Sequence, residues 1–79
     1  MINDHMEILA TRVRGLRRRL KLSQEALATD SDTTQGTIGR IETAAGSSVE
    51  SDTLIKLAKF FNVSIDYLLG LTDNPGPPL

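Results

Sequence analysis

The residues best equipped for specific chemistry lie close together: Gln35 and Arg40, with Gly36, Thr37 and Gly39 between them. Glutamine can bond an adenine edge at N6 and N7, and arginine can bond guanine O6 and N7 in bidentate fashion. Each such pair discriminates against a wrong base by roughly 1–3 kcal/mol. Other chemistries are poorly provided for. The chain has a single histidine, His5, and no cysteine. No spacing of His, Asp or Glu suits a metal ion. The carboxylates sit on separate segments, and no glycine-rich phosphate loop follows a strand. The sequence therefore offers no catalytic residues, no metal site and no cofactor site, and an enzyme is not expected.

Whether Gln35 and Arg40 act together depends on the elements that carry them. With Ile38 and Ile41 turned inward, a helix over 35–42 leaves Gln35, Gly36, Gly39 and Arg40 outside, and Thr34 is its N-cap. Upstream, Ser23 precedes Gln24-Glu25-Ala26-Leu27-Ala28. The Ser23 hydroxyl suits an N-cap, and Glu25 sits favourably at the positive end of the helix dipole. That helix is expected to run to 29 or 30 and to bury Leu27 and Ala28. Ser31-Asp32-Thr33 forms the turn. Asp32 falls where a left-handed conformation is needed, and Asp is among the few residues that substitute for Gly there. Two short helices, a tight turn and a polar face on the second have the layout of a helix-turn-helix DNA reader.

The rest of the chain reads as the support for that unit. Leu9, Val13, Leu16 and Leu20 recur at helical spacing and predict a first helix over about 7–21, arginine-rich on its outside. Leu22 begins the connection and points inward. Residues 43–50 are small and without helical period. Ser51 is the expected cap of a fourth helix, with Asp52 in its first turn and Leu54, Leu57, Ala58 and Phe61 as its buried stripe. Asn62 suits a left-handed stop. Phe60 is expected to face outward, either alone or with Leu71 in a dimer patch, and Tyr67 to lie at the core edge. Ser64 caps a last helix, Ile65 to Leu69, closed by Gly70. The segment TDNPGPPL beyond it cannot continue a helix. The expected fold is all-α, a five-helix bundle around one core. It divides into a flexible N-terminus over 1–6, the domain over 7–71, and a Pro/Gly-rich tail or linker over 72–79. His5-Met6 is also compatible with a cloning remnant ahead of a natural start at Met6.

Seventy-nine residues make one small domain. Such a chain buries only about 60–65% of its unfolded surface, and without cysteine nothing covalent staples it. There is no signal peptide and no apolar run long enough to span a membrane. The absence of cysteine fits a reducing cytosol. A net charge of −1 does not by itself favour nucleic acid. The distribution matters more. Arg12, Arg14, Arg17, Arg18, Arg19 and Lys21 fall in a stretch without acids, while Asp30, Asp32, Glu42, Glu50, Asp52, Asp66 and Asp73 lie elsewhere. The arginines are either a solvated helix face or, beside a helix-turn-helix, a phosphate-contact surface.

From Ser23 to Glu42 the chain resembles the lambda repressor/Cro family of helix-turn-helix domains, also called the Xre family. The likeness extends to LRRRLKLSQEALA, to TIGRIE and to DTLIKLAKFFNVSIDYLLG, covering about Val13 to Gly70. It implies a lambda repressor-like fold and a sequence-specific DNA-binding transcriptional regulator, expected to be a repressor in the cytoplasm, acting in a bacterial, phage or plasmid nucleoid. The resemblance implies a homodimer on a near-palindromic operator of double-stranded DNA, with the third helix in the major groove. Gln35, Gly36 and Arg40 match the family's base-facing positions. Thr37 either meets a thymine methyl or is plain helix surface. Gln24 and Thr34 match phosphate-contact positions, which fix register and carry no sequence information themselves. Arg17 and Glu42 match a family pair that forms a structural salt bridge.

The departures from the family pattern are specific. The usual turn glycine is Asp32, flanked by Ser31 and Thr33 in place of apolar residues, so the turn is expected to be more polar and less well packed. Gly36 and Gly39 cost about 1 kcal/mol each relative to Ala. Either they let the helix backbone approach DNA closely, or they are tolerated and base reading falls to Gln35 and Arg40. The loop from Thr43 to Ser48 lacks the basic residues that relatives often place there. Phosphate contacts must then come from backbone N–H groups, from Ser47 and Ser48, or from first-helix arginines such as Arg14 and Arg18. This predicts few ionic contacts and a shallow salt dependence. The alternative is an antitoxin or adaptor that uses the same fold mainly to hold a protein partner, such as a toxin or a further C-terminal domain. The slightly acidic balance favours it; the presence of Gln24, Thr34, Gln35 and Arg40 argues against it as the sole role.

Overall fold

Each apolar stripe in the sequence becomes the inner face of one helix. In the computed structural model, which describes residues 4–46 and 48–76, five helices follow one another. They are α1 (His5–Arg19), α2 (Gln24–Ser31), α3 (Gln35–Glu42), α4 (Ser51–Phe61) and α5 (Ile65–Leu69). No strand occurs among the described residues. Leu9, Val13, Leu27, Ile38, Leu57 and Leu68 are fully buried, and all five helices contribute to this core. Burial of each large aliphatic side chain stabilises by about 1.5–3 kcal/mol. α3 packs on both α1 and α2, so its inner face is fixed from two sides.

Short helices need firm ends, because nucleation is costly and few internal hydrogen bonds offset it. Ser23, Thr34 and Ser64 each accept the N–H of the residue three positions on, as expected. Asp4 does the same for α1, accepting from Met6 and Glu7 at 3.0 and 3.3 Å. The expected Ser51 cap is not found. Ser51 is the first helical residue, Glu50 holds the N-cap position, and its side chain makes no capping bond.

All five helices end in one way. Lys21, Asp32, Ala44, Asn62 and Gly70 have positive φ, between 56° and 80°. In each case the next N–H reaches back five residues: Leu22 to Arg17, Thr33 to Ala28, Ala45 to Arg40, Val63 to Ala58 and Leu71 to Asp66, at 2.8–3.1 Å. These are Schellman endings, which satisfy carbonyls that the helix itself leaves unpaired. Asp32 is left-handed as the sequence predicts, at φ 61° and ψ 43°. At Gly70 the glycine is required by space as well. A Cβ there would lie 2.7 Å from Ile8 Cδ1 and 2.9 Å from Ile8 Cγ2.

Several expectations are corrected. α1 begins two residues earlier than the predicted 7 and ends at Arg19, so Leu20, placed on the buried stripe, is 53% exposed. The segment expected to be flexible is held from Asp4 onward. His5 Nδ1 donates to the Leu69 carbonyl at 2.6 Å, and Met6 packs against the core. Phe60 does not face outward. Phe60 and Phe61 are both half-buried, edge to face with centroids 5.2 Å apart. Nor does the segment after Leu71 leave the domain as a free tail. Arg12 donates to the carbonyls of Tyr67 and Thr72 and pairs with Asp73 at 2.9 Å, stacking 4.1 Å over the Tyr67 ring. Ser64 N–H donates to the Pro75 carbonyl at 2.9 Å. Residues 72–76 thus lie back on α1 and the α4–α5 junction, and residues 77–79 of the expected tail lie outside the described residues, as do residues 1–3 of the expected N-terminus.

Candidate nucleic-acid interface

The exposed side of α3 is set by what holds its buried side. Ile38 and Ile41 anchor it in the core, and Glu42, only 4% exposed, ties its end to two other helices. Arg17 of α1 donates to both carboxylate oxygens, Nε to Oε2 at 2.6 Å and Nη2 to Oε1 at 2.9 Å. Gln24 of α2 donates from Nε2 to Oε1 at 3.2 Å. Arg14 Nη1 donates to the Glu42 carbonyl at 2.8 Å, a cation at a helix C-terminus where the dipole favours it. The Arg17–Glu42 pair implied by the family resemblance is therefore present.

The electrostatics of this junction follow from its burial. Desolvation raises the Glu42 carboxyl, but the hydrogen bonds from Arg17 and Gln24 and the charges of Arg17 and Arg14 outweigh it, and the net shift is downward. The hydrogen bond to Glu42 raises Arg17, against a smaller lowering by burial. Both groups are charged at neutral pH, as a closed buried pair requires.

Outward from this anchor, Thr34, Gln35, Gly36 and Arg40 are exposed, with Thr37 and Gly39 half-buried. This is the helix face expected from the sequence. Thr34 caps the helix and also donates its hydroxyl to Thr37 Oγ1 at 2.9 Å. Thr37 is thereby drawn to the helix start. Thr43 Oγ1 donates to the Gly39 carbonyl at 3.0 Å and so closes the other end. Arg40 borders a 340 Å³ pocket with Thr37, Ile41 and Thr53. Among the candidate phosphate contacts, Arg18 and Ser48 are exposed, Gln24 and Arg14 are half-buried, and Ser47 lies outside the described residues.

The turn between α2 and α3 is polar but not loosely packed, contrary to expectation. Ser31 is 5% exposed. Its Oγ donates to the Leu27 carbonyl at 2.7 Å and lies 3.0 Å from Thr33 Oγ1. A hydrogen-bonded hydroxyl pair therefore fills the place of the usual apolar contact. From α4, Lys56 Nζ donates to the Asp32 carbonyl at 3.0 Å and pairs with Asp52 at 3.1 Å. Asp52 and Asp32 both raise Lys56 above its ordinary value. Lys56 is a supporting residue that sequence reasoning missed: Asp52 is one turn away on α4, but the Asp32 carbonyl that it braces is 24 positions away.

This arrangement agrees with comparisons to known proteins. The helix-turn-helix family model HTH_3 matches residues 13–68. The HTH-type transcriptional regulator YobD of Bacillus subtilis (strain 168) is 41% identical over 66 residues, spanning 84% of this chain and 58% of YobD. The chain thus spans little more than half of that relative. The P22 c2 repressor, solved in complex with a synthetic operator, superimposes with a TM-score of 0.70 at 30% identity, over 77% of this chain and 91% of that one. The restriction-modification controller protein C.AhdI of Aeromonas hydrophila gives a TM-score of 0.71 at 28% identity, over 80% and 94% of the two chains.

Proposed function

The chain belongs to the helix-turn-helix family HTH_3, and from that premise we propose that it is a sequence-specific, DNA-binding transcriptional repressor. It binds a near-palindromic operator as a homodimer, with α3 in the major groove and half-sites about one helical turn apart. The observation that carries this reading is the outer face of α3. Gln35 and Arg40 stand exposed on a helix whose buried end is locked to α1 and α2 through Glu42. A rigid support of that kind is what base discrimination requires, since a reading side chain must be held to a fraction of an ångström. The fold's likeness to a repressor solved on its operator supports the same reading.

In this arrangement Gln35 bonds an adenine edge and Arg40 a guanine edge. Gly36 faces the bases without a side chain, and Thr37 offers a methyl to thymine. Thr34, Gln24, Arg14, Arg18 and Ser47 contact phosphates and set the register. Dimerisation supplies much of the affinity, because one domain with few free cations binds DNA weakly. The test is selection of bound sequences from random duplex DNA at fixed salt, for the wild type and Arg40→Ala. A palindromic motif that relaxes at one position per half-site in the variant supports direct readout. Absence of any motif from the wild type would instead favour a protein-holding role for the same fold.

A further inference from the structure

The family resemblance gives Gln24 only a phosphate, and the structure points to more. The Glu42 carboxylate accepts hydrogen bonds and cannot donate when ionised. The Gln24 amide is therefore held with Nε2 towards Glu42, at 3.2 Å, and its oxygen must face the opposite way. That oxygen accepts no hydrogen bond among the described residues, and it is not buried either. It stands over Gly39, where a Cβ would lie 3.7 Å from Oε1. Gly39 is on the outer face of α3, one turn beyond Gln35. A long side chain at 39 would cover this oxygen; glycine leaves it open.

We propose that Gln24 is a further base-reading residue, its Oε1 accepting from the exocyclic amine of adenine or cytosine in the major groove through the gap at Gly39. The second Nε2 hydrogen remains available to a phosphate. Adenine N6 and cytosine N4 are the amine donors of that groove, so thymine and guanine are disfavoured at the position read. This inference rests on the DNA-binding reading above. It also gives Gly39 a role, as the window through which that oxygen reaches the groove.

The test is the same duplex selection, carried out on wild type, Gln24→Ala and Gly39→Leu, with thermal melting to show that each is folded. Gln24→Ala leaves both Arg17–Glu42 hydrogen bonds in place, so the domain persists. The expected result is loss of an adenine or cytosine preference, about tenfold, at one position per half-site. Gly39→Leu should lose preference at that same position although Gln24 is present. A uniform drop in affinity with unchanged preferences in Gln24→Ala would make it a phosphate contact alone and overturn the proposal. So would an intact preference in Gly39→Leu. A wild type that selects no motif would overturn the DNA-binding reading itself, and this one with it.

Discussion

The Glu42 junction allows the most demanding test of how the fold holds α3. In Glu42→Gln the carboxylate charge is gone while the side chain keeps its size. Arg17, whose side chain is only 13% exposed, then loses its counter-charge. Removing one partner of a buried ion pair costs about 3–5 kcal/mol, because the other charge stays desolvated. A domain of this size has about 4–12 kcal/mol in total, so a large share of its stability is at stake. At about 4–8 °C per kcal/mol, the melting temperature should fall by at least about 12 °C. Replacing both partners, in Arg17→Met with Glu42→Leu, removes the stranded charge and should recover much of the loss. The pH dependence supplies a second reading. Because the folded carboxyl lies below its ordinary value, its contribution is complete above the unfolded value, about 4.3. It is lost as pH falls through the lowered folded value. The gap between wild type and Glu42→Gln should therefore narrow in acid. Urea titrations at neutral and acid pH measure all of this. A single variant that loses under 1 kcal/mol at neutral pH, or a double variant no better than the single, would refute the argument.

Three further outcomes follow from particular contacts. Gly36→Ala meets nothing within 4 Å and should stabilise the domain by about 1 kcal/mol through helix propensity, as read by urea unfolding. Its DNA affinity separates close backbone approach, which predicts weaker binding, from simple tolerance of the glycine. Gly70→Ala places its Cβ against Ile8 at positive φ; left-handed strain and overpacking together should cost about 2–5 kcal/mol. The dependence of DNA affinity on salt should be shallow, with a log–log slope weaker than about −8, since Arg12 and Arg17 are engaged within the fold. Titration between low and physiological salt measures the slope.

Much of the fold is legible in local sequence because its determinants are local. The Ser23, Thr34 and Ser64 caps and the Asp32, Asn62 and Gly70 stops lie within a few residues of what they cap. α3 could be bounded at 35 and 42 from its two isoleucines and its cap alone. The errors arise where distant groups decide. Leu20 fits a helical stripe, yet Lys21 turns left-handed and takes the chain out of register with the core. The tail from Thr72 reads as unattached, but Arg12, some 60 positions earlier, holds its carbonyl. Ser31 and Thr33 suggest a weak turn by composition, but Ser31 is satisfied by the Leu27 carbonyl and Thr33 Oγ1, and Lys56 reaches the Asp32 carbonyl from α4. Of the site, the face of α3 was legible and its support was not. Gln24 could be matched to a phosphate position, but the direction of its amide depends on Glu42, eighteen residues away.

These contacts divide α3 into two unequal halves. Its C-terminal half is held by Ile41, by Glu42 with three polar partners, and by Thr43 across the last carbonyls. Its N-terminal half has one cap, one buried isoleucine and a glycine at position 36. Arg40 lies on the held half, two residues before Glu42, whose carboxylate also holds Gln24. Gln35, at the first turn, depends on the Thr34 cap and on α2 behind it, and hence on the Ser31–Thr33 turn. The polar turn therefore belongs to the support of α3, since α3 can begin in the right place only if α2 ends in the right place. Lys56, bonded to the Asp32 carbonyl from α4, extends that dependence to the back of the bundle. On the proposed reading, Arg40 thus leans on the Glu42 contacts with α1 and α2, whereas Gln35 leans on the turn that Lys56 braces from α4.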